Sequence, residues 1–276
     1  MRIAVIAPAR PIEPVVAARV AAFAAIAFPS VDLVIHPQCF ESEGHFAGPD
    51  ARRAAVFVEV ANDPAVDAIW FARGGYGSNR ILAQAMHRLG PAARAKRYIG
   101  YSDMGFLLSA LYTQGIGRVA HGPMPIDINR AKGADGGGGD ATVARALDWL
   151  TGGRRGLEPG LGSAPAAAFN LAILQALVGT PWLPDLADHV LLIEEVSEPM
   201  YRFDRELFQI AHATQLQGIA GVRLGAVSDI QGNDPPWAEP LETMLPRWCG
   251  EMRVPYLGRA EIGHVVTNHV VPFGVA

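Results

Sequence analysis

Lysine is almost missing from this 276-residue chain. It occurs only at Lys96 and Lys132, so nearly all positive charge is arginine, and the formal net charge is −4. That balance excludes a nucleic-acid binder held by a broad basic surface. Cysteine is as scarce: Cys39 and Cys249 cannot staple so long a chain, which excludes a disulfide scaffold and fits a reducing compartment. Also missing is any uncharged apolar run of about 18 residues, the length a membrane helix needs; residues 15–28 come nearest but contain Arg19. The first nine residues mimic a signal peptide ending in Ala-x-Ala, yet their apolar stretch is too short. A buried strand followed by a loop accounts for them, and the expected location is the cytoplasm. What the chain does have is core-building residues: half are hydrophobic and only 18% charged, which excludes intrinsic disorder.

Strand-like and helix-like segments alternate along the first part. Residues 3–7, 31–35, 68–72 and 97–100 read as short buried strands. Between and after them, residues 13–28, 50–62, 78–89 and 103–112 read as helices, with Asp50 as an N-cap. That alternation predicts an α/β domain with a mostly parallel sheet covered on both faces. Ligand sites in such sheets form at the carboxyl ends of strands, which points to the loops at residues 73–77 and 100–103. Five glycines within residues 132–140 and the Gly/Pro/Ala-rich residues 154–168 mark a break, read as a linker over residues 126–162. Beyond it, helices at 170–177 and 205–215 and strands at 190–193, 224–230 and 265–273 predict a smaller, β-rich α+β domain.

Two loops carry chemistry. In Gly100-Tyr101-Ser102-Asp103-Met104-Gly105 a strand turns at a serine straight into a helix. This would lift the hydroxyl above the sheet and aim the Asp103 N–H at an oxyanion. The spacing is not the G-x-S-x-G elbow, and a serine there also serves as a helix cap. In Arg73-Gly74-Gly75-Tyr76-Gly77 three glycines follow a buried strand. They would permit a tight turn, a phosphate cradle or a second oxyanion donor from Gly74 or Gly75, though the loop lacks the lysine and hydroxyl of a P-loop. A serine needs a base and the base an orienting acid. Of eight histidines, His264 stands out behind Gly263, whereas His121 reads equally as structural, and His264 with His269 lacks the helical metal spacing. Glu194 and Glu195 end an apolar strand. Ser102, His264 and Glu194 are thus one choice among several.

Longer motifs narrow the choice. Ile69-Trp70-Phe71-Ala72-Arg73-Gly74-Gly75-Tyr76-Gly77-Ser78-Asn79-Arg80, Ile99-Gly100-Tyr101-Ser102-Asp103, His121-Gly122-Pro123, Leu192-Ile193-Glu194-Glu195, Tyr201-Arg202-Phe203-Asp204-Arg205 and Gly263-His264 occur in this order. With them the chain resembles the LD-carboxypeptidases of serine peptidase family S66, the murein tetrapeptide carboxypeptidase and microcin-immunity group. The resemblance implies a flavodoxin-like parallel-sheet domain (residues 1–125) joined by residues 126–162 to a smaller β-rich, barrel-like domain (residues 163–276), in a homodimer. It implies Ser102 as nucleophile, His264 as base and Glu194 as its orienting acid, with the site in the cleft between domains. Asp103 with Gly74 or Gly75 would form the oxyanion hole, and Arg73, Tyr76 and Arg202 would contact substrate. No metal or cofactor is implied. The substrate would be a small peptide ending in a D-amino acid, with an adenylate-cleaving immunity amidase or a non-catalytic binding protein as alternatives. Binding an adenylate would call for an aromatic platform in the second domain, and the sequence does not place Trp182 or Trp237 there. Ala168-Phe169 replaces the family's usual Gly-Gly, and Glu194-Glu195 its usual Glu-Asp.

Overall fold

A computed structural model describes residues 1–133 and 137–276. The first half runs β1 (Arg2–Ile6), α1 (Pro14–Ala27), β2 (Asp32–Ile35), α2 (Asp50–Asn62), β3 (Ala68–Phe71), α3 (Leu82–Ala85), α4 (Pro91–Arg94), β4 (Arg97–Gly100), α5 (Gly105–Thr113), β5 (Arg118–His121) and α6 (Gly139–Leu150). The second runs β6 (Ala166–Asn170), α7 (Leu171–Leu177), β7 (Val190–Val196), α8 (Met200–His212), β8 (Gly221–Ser228), α9 (Leu241–Met252), β9 (Tyr256–Arg259) and β10 (Val271–Pro272).

Two sheets result, in the orders β10-β5-β4-β3-β1-β2 and β6-β7-β8-β9. Every pairing is parallel except that of β10, which comes back from the C-terminus to run antiparallel to β5. Buried parallel strands need apolar residues on both faces, and β1 supplies them alternately. Ile3 and Val5 face a core with α1 and α6, while Ala4 and Ile6 face one with α2 and α5. The latter core continues without a break through Phe169, Ile193 and Leu224 to α7, α8 and α9.

The α/β class is as expected, with three differences of detail. The second sheet is parallel and helix-crossed, more open than the barrel-like reading, because the chain between its strands holds full amphipathic helices rather than hairpin turns. Residues 265–273 contribute only β10, and to the first sheet. Residues 126–162, read as a linker, carry α6, whose Val143, Ala146 and Leu147 are buried on the first sheet. The glycine run that prompted the linker reading includes Gly136, which lies outside the described residues. At α2 the N-cap is Pro49; Asp50 instead pairs with Arg53 and, at 2.8 Å, with Arg80.

One buried acid gives the second unit a pH dependence. Glu206, on the inner face of α8, is 2% exposed and its Oε2 has no hydrogen-bond partner among the described residues. Burial, aided by the charges of Glu195 and Glu198, pushes its pKa up to about 8. The folded protein therefore keeps a proton that the unfolded chain releases near 4.5, so this stabilisation is complete at low pH and is lost as pH rises toward about 8. Glu206→Gln, which cannot ionise, should narrow the gap between melting temperatures at pH 5 and pH 8. An unchanged gap would show that Glu206 does not carry it.

Candidate active site

The carboxyl ends of β3, β4 and β5 converge on a cavity of about 320 Å³. Arg73, Gly74, Ser102, Asp127, Arg130 and His264 are among its walls. Ser102 sits directly after β4 with φ +59°, a left-handed conformation that costs a serine roughly 1–3 kcal/mol. The N-cap of the following turn is Tyr101 and Ser102 is the turn's first residue, so the capping reading fails.

Asp103 holds the two loops together. Its carboxylate is 1% exposed and accepts the N–H groups of Gly77 at 3.2 Å and Ser78 at 2.9 Å; its carbonyl accepts the Ser78 hydroxyl at 2.6 Å. Burial raises the Asp103 pKa, opposed by these hydrogen bonds and by the charge of Arg53. The glycine loop is thereby pressed on the serine. A Cβ built on Gly74 would stand 3.0 Å from Ser102 Oγ and 3.4 Å from the Asp103 nitrogen, so only glycine leaves that space open. Gly75 also lines the cavity, and a Cβ built on it would collide with the Arg10 side chain. Both glycines expected as donors thus reach the cavity, and Gly74 is the one packed against Ser102.

His264 reaches the same cavity from the second unit. Its Nδ1 lies 2.8 Å from Glu194 Oε2, which leaves Nε2 as the free nitrogen of the ring. Glu194, at the end of β7, has no solvent exposure. Burial alone would lower the His264 pKa, but the charge and hydrogen bond of Glu194 outweigh it and the net shift is upward. For Glu194 burial pulls upward, and His264 with help from His121 and Asn170 outweighs that, so its net shift is downward. Gly263 permits the approach: a Cβ there would meet Glu194 Oε2 at 3.2 Å.

Glu195, the other member of the acidic pair, points to the opposite face of the strand. It binds Asn170 Nδ2 at 2.7 Å and the Ala172 N–H at 2.8 Å, and burial pushes its pKa up to about 7. Its work is to fasten the start of α7.

Two residues expected at the substrate do not line this cavity. Arg202 is on the first turn of α8 with its charge on Glu198, 2.9 Å away. Tyr76 is 47% exposed and lies against His45 and Phe46. Neither lines the cavity, because α8 packs with α7 and α9, while the positive-φ glycines on both sides of Tyr76 turn its side chain outward. Arg73 does line it, and its buried Nε has no partner among the described residues. Arg130 was not foreseen. It binds Asp127 at 2.9 Å, the Tyr101 hydroxyl at 2.7 Å and the His264 carbonyl at 2.6 Å, and so locks the histidine loop. No sequence motif marks it, and it falls within the residues read as a linker.

An α/β sheet pair with a strained serine, a facing glycine loop and a carboxylate-bound histidine defines a hydrolase-like centre, and the comparisons name its class. Residues 3–122 match the LD-carboxypeptidase N-terminal domain and residues 165–276 the LD-carboxypeptidase C-terminal domain. A Streptomyces coelicolor relative, named among the carboxypeptidases, is 34% identical over 262 residues, covering 89% of this chain and 80% of its own. The murein tetrapeptide carboxypeptidase of Pseudomonas aeruginosa is 27% identical over 83% of this chain and 78% of its own. The fold is shared with the muramoyltetrapeptide carboxypeptidase of Oxalobacter formigenes (TM-score 0.82, 23% identity, 99% of this chain and 93% of that one). It is shared too with the microcin C7 self-immunity protein MccF in complex with aspartyl sulfamoyl adenosine (TM-score 0.79, 18% identity, 99% and 91%). The chain belongs to the LD-carboxypeptidase family, peptidase family S66. Among the described residues no helix is long and apolar enough to cross a membrane.

Asp103→Ala would leave two N–H groups unpaired in the buried loop. Urea unfolding should show a loss of about 2–4 kcal/mol. A loss below about 1 kcal/mol would mean that the loops hold together without this carboxylate.

Proposed function

We propose that the protein is a serine-type LD-carboxypeptidase acting on murein tetrapeptides, releasing a terminal D-amino acid from an L-configured centre. The observation that carries the reading is the meeting, at one cavity, of Ser102 in a left-handed turn with the Glu194-bound His264. Neutral His264 takes the Ser102 proton through Nε2 as Oγ attacks the amide carbonyl. The oxyanion is received by the N–H groups of Asp103 and Gly74, each worth roughly 3 kcal/mol in the barrier. The imidazolium, steadied by Glu194, returns the proton to the leaving amine, and water then clears the acyl-enzyme.

Arg73 supports exopeptidase action. Its guanidinium is desolvated, Arg10 adds a repelling charge and Glu13 a weaker opposing one. A cation so placed at the cavity wall suits the free carboxylate at a peptide's end. The runner-up, a microcin-immunity type amidase, is disfavoured by the lining: Trp182 and Trp237 are not among the residues around this cavity. Trp237 lines a separate groove with Tyr201.

Mass spectrometry of an L,D-tetrapeptide incubated with the protein should show loss of the terminal D-alanine. Ser102→Ala should lower the rate at least about 1,000-fold, and full activity in that variant would end the assignment. An aminoacyl-sulfamoyl adenosine turned over faster than the peptide would favour the runner-up. The pH profile gives an independent check. His264 must be neutral to act, and its pKa lies above the ordinary 6.5, so the rate should climb as pH passes above that value. Glu194→Gln removes the charge and leaves burial to act, which should carry this limb below 6.5 while kcat falls about 100-fold or more. A limb unmoved in that variant would separate it from His264.

A further inference from the structure

His121 ends β5, paired in register with Gly100 and Val271, and is 1% exposed. Its ring meets Tyr101 edge-on at 5.4 Å, and the Tyr101 ring lies 4.8 Å from that of His264. Three rings thus lead from the core to the cavity. Neither nitrogen of His121 has a hydrogen-bond partner among the described residues, and neither does Glu194 Oε1. A neutral imidazole always carries one N–H donor, and a buried carboxylate oxygen that accepts nothing is among the costlier groups to leave unpaired. The two groups also lie within each other's field: Glu194 raises the proton affinity of His121, and His121 lowers that of Glu194.

We propose that His121 is a positioning residue whose neutral ring donates the second hydrogen bond to Glu194, at Oε1, across one buried water. The carboxylate is then held between two imidazoles, fixed by His121 on one oxygen and orienting His264 with the other. Burial keeps His121 uncharged, with its pKa lowered to about 4, so it donates without competing with His264 for the negative charge. Other groups also act on this centre. Asp127 and Arg130 face His264, and the buried Tyr101 hydroxyl binds Arg130. Asn170, whose amide donates to Glu195, also lowers the proton affinity of Glu194. The rival donor is Asn268 Nδ2, buried and unpartnered on the same loop, its Oδ1 already accepting the Gly263 N–H at 3.0 Å.

The inference rests on the reading of Glu194 as the acid that orients the base, and its test does not require that any peptide be cleaved. Carboxyl-carbon NMR of glutamate-labelled protein follows the Glu194 titration directly. In His121→Phe, or in the smaller His121→Leu should the phenylalanine not fit, the Glu194 midpoint should move up. His121→Gln, which keeps an N–H donor, should return it toward the wild-type value. A midpoint that stays put in the apolar variants, or that moves in Asn268→Ala but not in them, overturns the proposal. With peptide, His121→Phe should lower kcat about 10- to 100-fold, the worth of one hydrogen bond to a buried charge. KM should hold, and glutamine should restore most of the rate. A loss of rate that tracks a fall in melting temperature, without rescue by glutamine, would mark His121 as structural only. Wild-type protein that leaves the peptide intact would end the peptidase reading, while the Glu194 titration still judges His121.

Discussion

A carboxylate wholly out of water survives as an anion only if donors and positive charge are built around it, and Glu194 imposes that demand on this fold. His264 meets it at 2.8 Å. To do so the segment after β9 must travel to the end of β7, pass the Glu194 side chain without a side chain of its own at Gly263, and present the histidine to the first sheet. The loop that follows β5 then fastens the arrangement, since Arg130 binds the His264 carbonyl, the Tyr101 hydroxyl and Asp127 together. A few residues later the same segment becomes β10 and joins β5. The pair and the docking of the two units are therefore one constraint: the ion pair needs both sheets in place, and the returning strand supplies the register that holds them.

The other half of the centre rests on strain. A serine with φ +59° is held against its preference, and an exposed turn would relax. Here it cannot, because Asp103, the next residue, is buried with its carboxylate on two backbone N–H groups of the glycine loop. The same hydrogen bonds press Gly74 against Ser102. Strain at the hydroxyl and closeness of the facing backbone thus have a common cause, and both are needed if a developing oxyanion is to find donors already in place.

The strands were easy to read in the sequence because parallel strands buried on both faces are unbroken apolar runs: residues 68–71 are Ala-Ile-Trp-Phe, all buried. The chemistry at their ends was legible because it sits on glycine and serine punctuation. Other features left no such mark. Asp127 and Arg130 are ordinary residues of a 3-10 turn and its C-cap, and the contact that matters most, from Arg130 to the His264 carbonyl, spans more than a hundred residues. α6 was hidden by the glycines that precede it, although its Val143, Ala146, Leu147 and Leu150 carry a helical spacing. Residue pattern alone did not separate Glu194 from Glu195, and the family motif singled out Glu194; the alternation of the strand sends one toward the histidine and the other toward α7. Arg202 and Tyr76 were chosen for type and motif; both are exposed, where a charge or a phenol is commonplace.

The two arginines on the cavity wall show how charge divides the labour. Arg130 is surrounded by oxygens, and the Tyr101 hydroxyl and Asp127 outweigh its burial, so that its proton is held more tightly than usual. Three of its N–H groups are committed to Asp127, the His264 carbonyl and the Tyr101 hydroxyl, and it acts as a clamp. Arg73 has the opposite balance: burial and the neighbouring Arg10 weaken its hold on the proton, and its Nε finds no oxygen among the described residues. A guanidinium cannot shed its proton to relieve such a position. An anion brought into the cavity would relieve it, and a carboxylate has the planar, two-oxygen form that a guanidinium fits best. Under the carboxypeptidase reading proposed above, Arg73 is therefore the candidate contact for a peptide's terminal carboxylate.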